Sequence, residues 1–264
     1  MPSIQIDTDF SAAYRALESR MVTLAEADGD VFLANPEPAG PVEHVFICME
    51  PSLGWWARST VDAKAKIEAG FRNFVFLDHG TLCLHFAIRE YLCRPGDGYY
   101  ITDLSKGAMS VKRAAVDRSQ RYNRWYDLLL LELDLTAKPG ANVFAIGDKV
   151  EEQLKGHPFP RSFTTLLHYS PVNVAHRKKR IAGHEADFEE FKRSLSIDRV
   201  LAVANEVMTE SLPPSFRDLA LARLTPLHLF ESDLQLIFIY KVAFEAAVAS
   251  NTASVGMRVS GRLA

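Results

Sequence analysis

The amino-acid sequence predicts an α/β fold: a three-layer sandwich around a central, mostly parallel four-stranded sheet, with an N-terminal helix and a C-terminal helical extension. Two patterns predict it. Apolar runs at residues 45–48, 99–103, 142–147 and 163–167 each stop at acids, prolines, glycines or other polar residues, as buried strands do where they empty into loops at a sheet edge. Segments with helical spacing of apolar side chains lie between them, and such a strand–helix order closes through right-handed crossovers into a parallel sheet. Size and composition agree. The chain has 264 residues, 48% hydrophobic and 24% charged, enough for one large domain with an appendage and an ordinary globular balance.

In chain order, residues 10–27 place Tyr14, Leu17, Met21 and Leu24 at helical spacing and stop at Asp28-Gly29-Asp30, a turn. A proline-rich connection, 35–41, leads to the first strand, which ends at Met49-Glu50-Pro51-Ser52. Residues 61–69 read as a helix, 71–76 as an extended aromatic-rich segment, and 82–92 as a helix closed by Arg94-Pro95-Gly96-Asp97-Gly98. The second strand ends at Asp103. A helix over 119–133 is expected to stop at Lys138-Pro139-Gly140, before the third strand. Asp148 then reads as the cap of a helix to Leu154, with Glu151 as its capping-box partner. The fourth strand leads to His168. Helical sequence follows to about residue 250, so residues 1–182 are expected to form the α/β domain and 183–264 a helical extension packed on it.

Several classes are excluded on composition. No basic, apolar leader opens the chain. The most apolar late segment, 229–248, is interrupted by Glu231, Asp233, Lys241 and Glu245, which makes it a core helix and not a membrane span; a cytoplasmic protein is expected. Three cysteines, Cys48, Cys83 and Cys93, are too few for a four-cysteine metal or iron–sulfur site and do not pair evenly into a disulfide framework. No cofactor or metal is expected. The net charge of −3 does not announce nucleic acid, yet Lys106, Lys112, Arg113, Arg118, Arg121 and Arg124 face Asp117 alone over residues 104–125, and local sign decides where a polyanion docks.

Ligands of open α/β sheets bind outside the carboxyl ends of the strands. If the strands ending at Glu50, Asp103 and His168 are parallel neighbours, those three side chains converge on one crevice.

The residues that end these strands resemble a family. Cys48-Met49-Glu50-Pro51-Ser52, Tyr100-Ile101-Thr102-Asp103, Phe144-Ala145-Ile146-Gly147 and His168-Tyr169-Ser170-Pro171 are similar, in order and spacing, to the motifs of the uracil-DNA glycosylase superfamily, over about residues 45–180. The resemblance implies DNA as partner and a flipped base as substrate. It gives Glu50 the place of the polar residue that positions the attacking water, where a carboxylate also offsets positive charge developing on the sugar. It gives His168 the hydrogen bond to the base carbonyl beside the glycosidic nitrogen, made by a neutral imidazole. Ser170, Pro171, Val172 and Asn173 match the minor-groove loop, with Val172 as a short wedge that stabilises the extruded nucleotide. Phe74 or Phe76 would stack on the base, with Met49 and Ser52 beside it. Lys106, Arg113, Arg177 and Lys178 would contact phosphates. Taken singly, each has a plainer alternative: a helix-capping carboxylate for Glu50, a tight turn for Val172, core aromatics for Phe74 and Phe76.

Asp103 departs from most of the family, in which this position is an asparagine. An ionised aspartate has acceptors only; it opposes the carbonyl of uracil but matches the exocyclic amine of cytosine. A protonated Asp103 would instead donate. The ionised form implies a cytosine-type base, and an enzyme that spares its own genome must then require a modification, such as the bulky ones carried by some bacteriophages. An antiviral glycosylase follows as an expectation. The alternatives are a repair glycosylase for uracil or another deaminated base, a non-catalytic nucleic-acid-binding module, and, last, a metal hydrolase using Asp78, His79 and His85.

Overall fold

In the computed structural model, which describes residues 8–54, 56–75, 78–170, 173–224 and 228–260, the chain opens with α1 (Thr8–Ala27), whose Tyr14, Leu17 and Met21 are buried on one face. A two-residue strand, β1 (Val31–Phe32), follows, and then the first core strand, β2 (Val42–Cys48). Val45, Phe46 and Ile47 are all fully buried, so both faces of β2 are covered, as parallel sheets require.

The helix α2 (Thr60–Glu68) starts where Ser59 accepts from the Asp62 N–H at 3.2 Å. Residues 73–75 form a turn and not the extended segment expected there, and Phe74 sits at φ +60. Phe76 lies outside the described residues. The helix α3 (His79–Ala87) opens with a capping box: Asp78 Oδ1 accepts from Thr81 N–H at 2.8 Å and Thr81 Oγ1 accepts from Asp78 N–H at 3.0 Å. One π-helical turn, Ile88–Leu92, ends it.

The second core strand, β3 (Tyr99–Asp103), pairs parallel with β2, placing Asp103 opposite Cys48. A short strand, β4 (Gly107–Ala108), pairs antiparallel with β1. After α4 (Val111–Val116), the long α5 (Arg118–Thr136) runs directly into β5 (Ala137–Ile146), which pairs parallel with β2 on its other side. Lys138-Pro139-Gly140 therefore does not separate helix from strand. It forms the exposed start of the strand, where the register against β2 shifts between Val42 and His44 and Gly140 takes φ +79; proline is tolerated at such irregular, solvent-facing positions.

The helix α6 (Asp148–Lys155) is capped by Gly147 at φ +95, not by Asp148, and Glu151 bonds Lys155 instead of closing a capping box. The fourth core strand is β6 (Thr164–Leu166). The core sheet has the order β3-β2-β5-β6 and is parallel, so the protein is α/β as the sequence predicts. Counting these four strands along the chain, the order is second, first, third, fourth. It reverses between β2 and β5, which is the switch point where such sheets take ligands.

The helices α7 (Val174–Ile181), α8 (Glu185–Ser194), α9 (Ile197–Ser211), α10 (Pro214–Leu224) and α11 (Glu231–Ser260) complete the chain. It divides into two units. One holds the residues up to 76 with 97–165 and 208–220; the other holds 77–96, 166–207 and those from 221 onward. In the first, Val45, Ile47, Tyr100, Tyr122, Leu133, Val143 and Leu154 form one continuous apolar cluster. In the second, α11 packs on α3, α7 and α8, with Phe238 against Phe188 and Phe191 at 5.4 and 5.5 Å between ring centres. The second unit is thus not only the sequence after residue 183, because α11 buries its apolar face partly on α3. No described helix is long and apolar enough to cross a membrane.

Candidate functional site

Backbone bonds pin the loop that leaves β2. Leu104 N–H donates to Cys48 O at 2.8 Å, Leu53 N–H to Met109 O at 2.9 Å, and Trp56 Nε1–H to Ser52 O at 2.6 Å. Met49 is half-buried and packs on the sheet's apolar cluster; Ser52 is half-buried beside Gly54. Glu50 follows at the switch point with its side chain only 5% exposed. Arg118 reaches it with Nη2 at 2.8 Å from Oε1 and Nε at 3.2 and 3.3 Å from the two oxygens, and the Tyr122 hydroxyl donates to Oε2.

Glu50 is thus an ion-paired, charge-assisted acceptor. It meets the side chains of α5 and not its backbone N–H groups, so the helix-capping alternative does not hold. Burial, then the neighbouring Glu50 charge, drives the Tyr122 hydroxyl far above its ordinary range, so it stays a donor. Arg118 and Tyr122 stand one helical turn apart on a single face. Sequence reasoning counted Arg118 only as part of a basic stretch and passed over Tyr122; the i, i+4 spacing was the available signal.

Asp103 closes β3 and is 3% exposed. Asn73 Nδ2 donates to its Oδ2 at 2.7 Å, Asn73 Oδ1 accepts from the Phe74 N–H at 3.1 Å, and Asn73 N–H donates to Ala34 O at 2.9 Å. Burial foremost, then the charges of Glu50 and Glu132, push the Asp103 carboxyl up to about 8 against the pull of Lys106 and Asn73. At neutral pH it is mostly a neutral acid with one donor. Of the two forms weighed from the sequence, burial favours the neutral, donating one. Phe74 is buried and held at positive φ, a conformation that costs a bulky residue on the order of 1–3 kcal/mol and clusters at functional sites.

Lys106 is corrected as well. It is 2% exposed, and its ammonium lies 2.8 Å from Glu132 Oε1 and 2.6 Å from Thr102 Oγ1, so it is an interior group that cannot meet phosphate. Glu132 also accepts from Tyr100 Oη at 2.6 Å and Thr102 Oγ1 at 2.7 Å, and Tyr100 meets Tyr14 Oη at 2.8 Å. Arg113 is occupied at the turn after α1: it donates to Asp28 O, to Gly29 O at 2.8 Å and to Asp30 at 3.0 Å.

His168 belongs to the other unit. Its Nδ1 accepts from the Ser170 N–H at 3.0 Å, and its ring stacks on Tyr169 at 4.5 Å. Asn173 Nδ2 donates to His168 O at 3.2 Å. Arg177, buried and thereby corrected as a phosphate contact, spends its guanidinium on Tyr169 O at 2.6 Å, Ser170 O at 3.1 Å and Ser232 O at 2.8 Å. Burial, then the Arg177 charge, lowers the imidazole to about 4 against the opposing Asp78. The ring is neutral, and because Nδ1 accepts, the proton sits on Nε2.

Pro171 and Val172 lie outside the described residues. On α7, His176, Lys178, Lys179 and Arg180 are exposed and no acid interrupts them. Of the residues weighed for metal hydrolysis, Asp78 caps α3 and His79 pairs with Asp233 at 3.0 Å. Among the described residues no group of three or more such side chains is placed to hold a metal ion.

The structure therefore brings Glu50 and Asp103 to neighbouring strand ends on one unit, Glu50 bonded by Arg118 and Tyr122 and Asp103 by Asn73, and carries His168 on the other. Comparison of the chain with protein-family models, curated proteins and solved structures finds no match.

Proposed function

We propose that the protein is a monofunctional DNA glycosylase of the uracil-DNA glycosylase type, built as a three-layer sandwich and acting in the cytoplasm. It flips one base and hydrolyses its N-glycosidic bond to leave an abasic site. The observation that carries the reading is the pair of acids at adjacent strand ends by the switch point, one ion-paired to Arg118 and one held neutral by burial. Carboxyl groups of opposite protonation at one site divide acid and base roles.

Glu50 takes the water. A carboxylate offers about four lone-pair positions; Arg118 and Tyr122 bring three donor hydrogens to it, the Arg118 Nε–H being shared between both oxygens, which leaves one acceptor position for a nucleophilic water. Its charge offsets the cation that forms on the sugar. Asp103 meets the edge of the base, Phe74 its face. For His168, which lies on the other unit, the resemblance alone implies the hydrogen bond to the carbonyl beside the glycosidic nitrogen; its neutral imidazole with the proton on Nε2 is the form that such a bond needs. Lys178, Lys179 and Arg180 on α7 bind phosphates.

A neutral Asp103 offers both a donor and an acceptor and so can pair with the edge of a modified cytosine, the first substrate we propose, with defence against phages that carry one as the biological setting. A second reading, removal of uracil or another deaminated base, is favoured by the neutral Asp103, which can donate to a carbonyl. Oligonucleotides with one 5-hydroxymethylcytosine, one uracil or unmodified cytosine, assayed by mass spectrometry for released base, separate the two. Base release is expected from one of the first two and not from plain cytosine, and Glu50→Gln should slow it by about 10²-fold or more. Tight DNA binding without release of any base would leave a non-catalytic binding module instead.

A further inference from the structure

The two oxygens of Asp103 stand in unequal surroundings. Oδ2 accepts from Asn73 Nδ2 at 2.7 Å, whereas Oδ1 makes no hydrogen bond among the described residues. The orientation of the Asn73 amide is settled independently, because its other end accepts the Phe74 N–H at 3.1 Å and only an amide oxygen can do that. The nitrogen must then face Asp103. A carboxyl oxygen that receives an N–H is the carbonyl oxygen of a neutral acid, which leaves the hydroxyl on the other.

We propose that Asn73 is a specificity-determining positioning residue: its amide holds Asp103 Oδ2 as an acceptor, confines the carboxyl proton to Oδ1, and so gives the site a fixed donor–acceptor order toward a base. The identity of the ligand as a base rests on the glycosylase reading above.

The order matters because a neutral acid can pair with either pyrimidine edge. Cytosine needs a donor toward N3 and an acceptor toward its N4 amine; uracil needs an acceptor toward N3–H and a donor toward O4. The two demand opposite orders along one edge. An acid free to move its proton between oxygens serves both, and one locked by Asn73 serves one. Discrimination then lies in a residue outside the strand-end motifs.

Among the described residues, the charged and titratable groups that act on Asp103 are Glu50 from the loop after β2, Lys106 from the loop after β3, and Tyr122 and Glu132 from α5. None of them replaces the Asn73 amide. Asn73→Ala removes the lock. Asn73→Asp keeps an oxygen for the Phe74 N–H and offers Asp103 an acceptor in place of a donor, which draws the proton to Oδ2 and reverses the order.

The test has two readouts on the full-length protein. Infrared difference titration of isotope-labelled aspartate, assigned with Asp103→Asn, should show the protonated Asp103 band persisting to higher pH in Asn73→Ala, since that variant lacks a hydrogen bond that favours the ionised form. The ratio of uracil to 5-hydroxymethylcytosine release should move at least tenfold toward unity in Asn73→Ala and invert in Asn73→Asp. An unmoved band together with an unmoved ratio overturns the proposal. If the parent releases no base, the glycosylase reading fails, and the infrared band still decides whether Asn73 controls the carboxyl; Asn73→Asp, which retains the turn, supplies that answer should Asn73→Ala not fold.

Discussion

Burial without a dedicated cation keeps the proton on Asp103. Lys106 is the cation that pulls on Asp103, yet its ammonium is committed to Glu132 and Thr102, and Arg118 is committed to Glu50. The folded state therefore binds a proton that the unfolded chain releases. With a folded value of about 8 against an ordinary 3.8, the group's contribution to stability is complete below about pH 4 and is lost as pH rises towards 8. Asp103→Asn has nothing to lose over that window. The stability of the parent relative to Asp103→Asn, from urea unfolding at a series of pH values, should fall across it, by on the order of a few kcal/mol at most. A difference that does not vary with pH would refute the assignment. His168 shows the converse: Arg177 is spent on backbone carbonyls, and its charge beside the half-buried ring still helps keep the imidazole neutral.

Among the elements, α3 matters to the site more than its sequence suggests. Its first turn is fixed by Asp78 and Thr81, and a Cβ built on Gly80 would lie 2.9 Å from Tyr169 Cδ2 and 3.1 Å from Tyr169 O. The helix and the loop carrying His168 are in contact there with no room to spare. Helix propensity alone would make Gly80→Ala stabilising by about 1 kcal/mol. The clash should reverse the sign, destabilising the protein by about 1 kcal/mol or more in thermal or urea unfolding and displacing Tyr169 from the His168 ring. A stabilised Gly80→Ala protein would show that the loop yields freely. The α5–β5 junction makes the complementary point: Pro139 and Gly140 read locally as a stop, yet pairing with β2 extends the strand back to Ala137.

For the whole molecule, charge is sorted by position and not by count. Of the bases first read as phosphate contacts, Lys106 and Arg177 are interior and Arg113 is tied to the turn at Asp28 and Gly29, which leaves the exposed row on α7 as the surface on which the proposed binding of DNA rests. Replacing Lys178 and Lys179 together by glutamate should weaken binding to DNA of any sequence and flatten its dependence on salt, by about one unit in the log–log slope for each phosphate that the variant no longer neutralises. An unchanged slope in a fluorescence-anisotropy titration would move that surface elsewhere.

By itself the sequence determined the strand ends. Apolar runs broken by Glu50, Asp103 and His168 are local patterns, and burial of a strand demands them wherever the fold places it, so the α/β class and the positions of the candidate side chains were readable in one dimension. What those side chains are chemically was decided by contacts between residues far apart in the chain. Asn73 reaches Asp103 across 30 positions and Arg118 reaches Glu50 across 68, and no local pattern encodes a separation of that kind. Protonation followed from the same cause: a carboxyl's charge depends on how much water and which neighbours surround it, and only the packed chain supplies those.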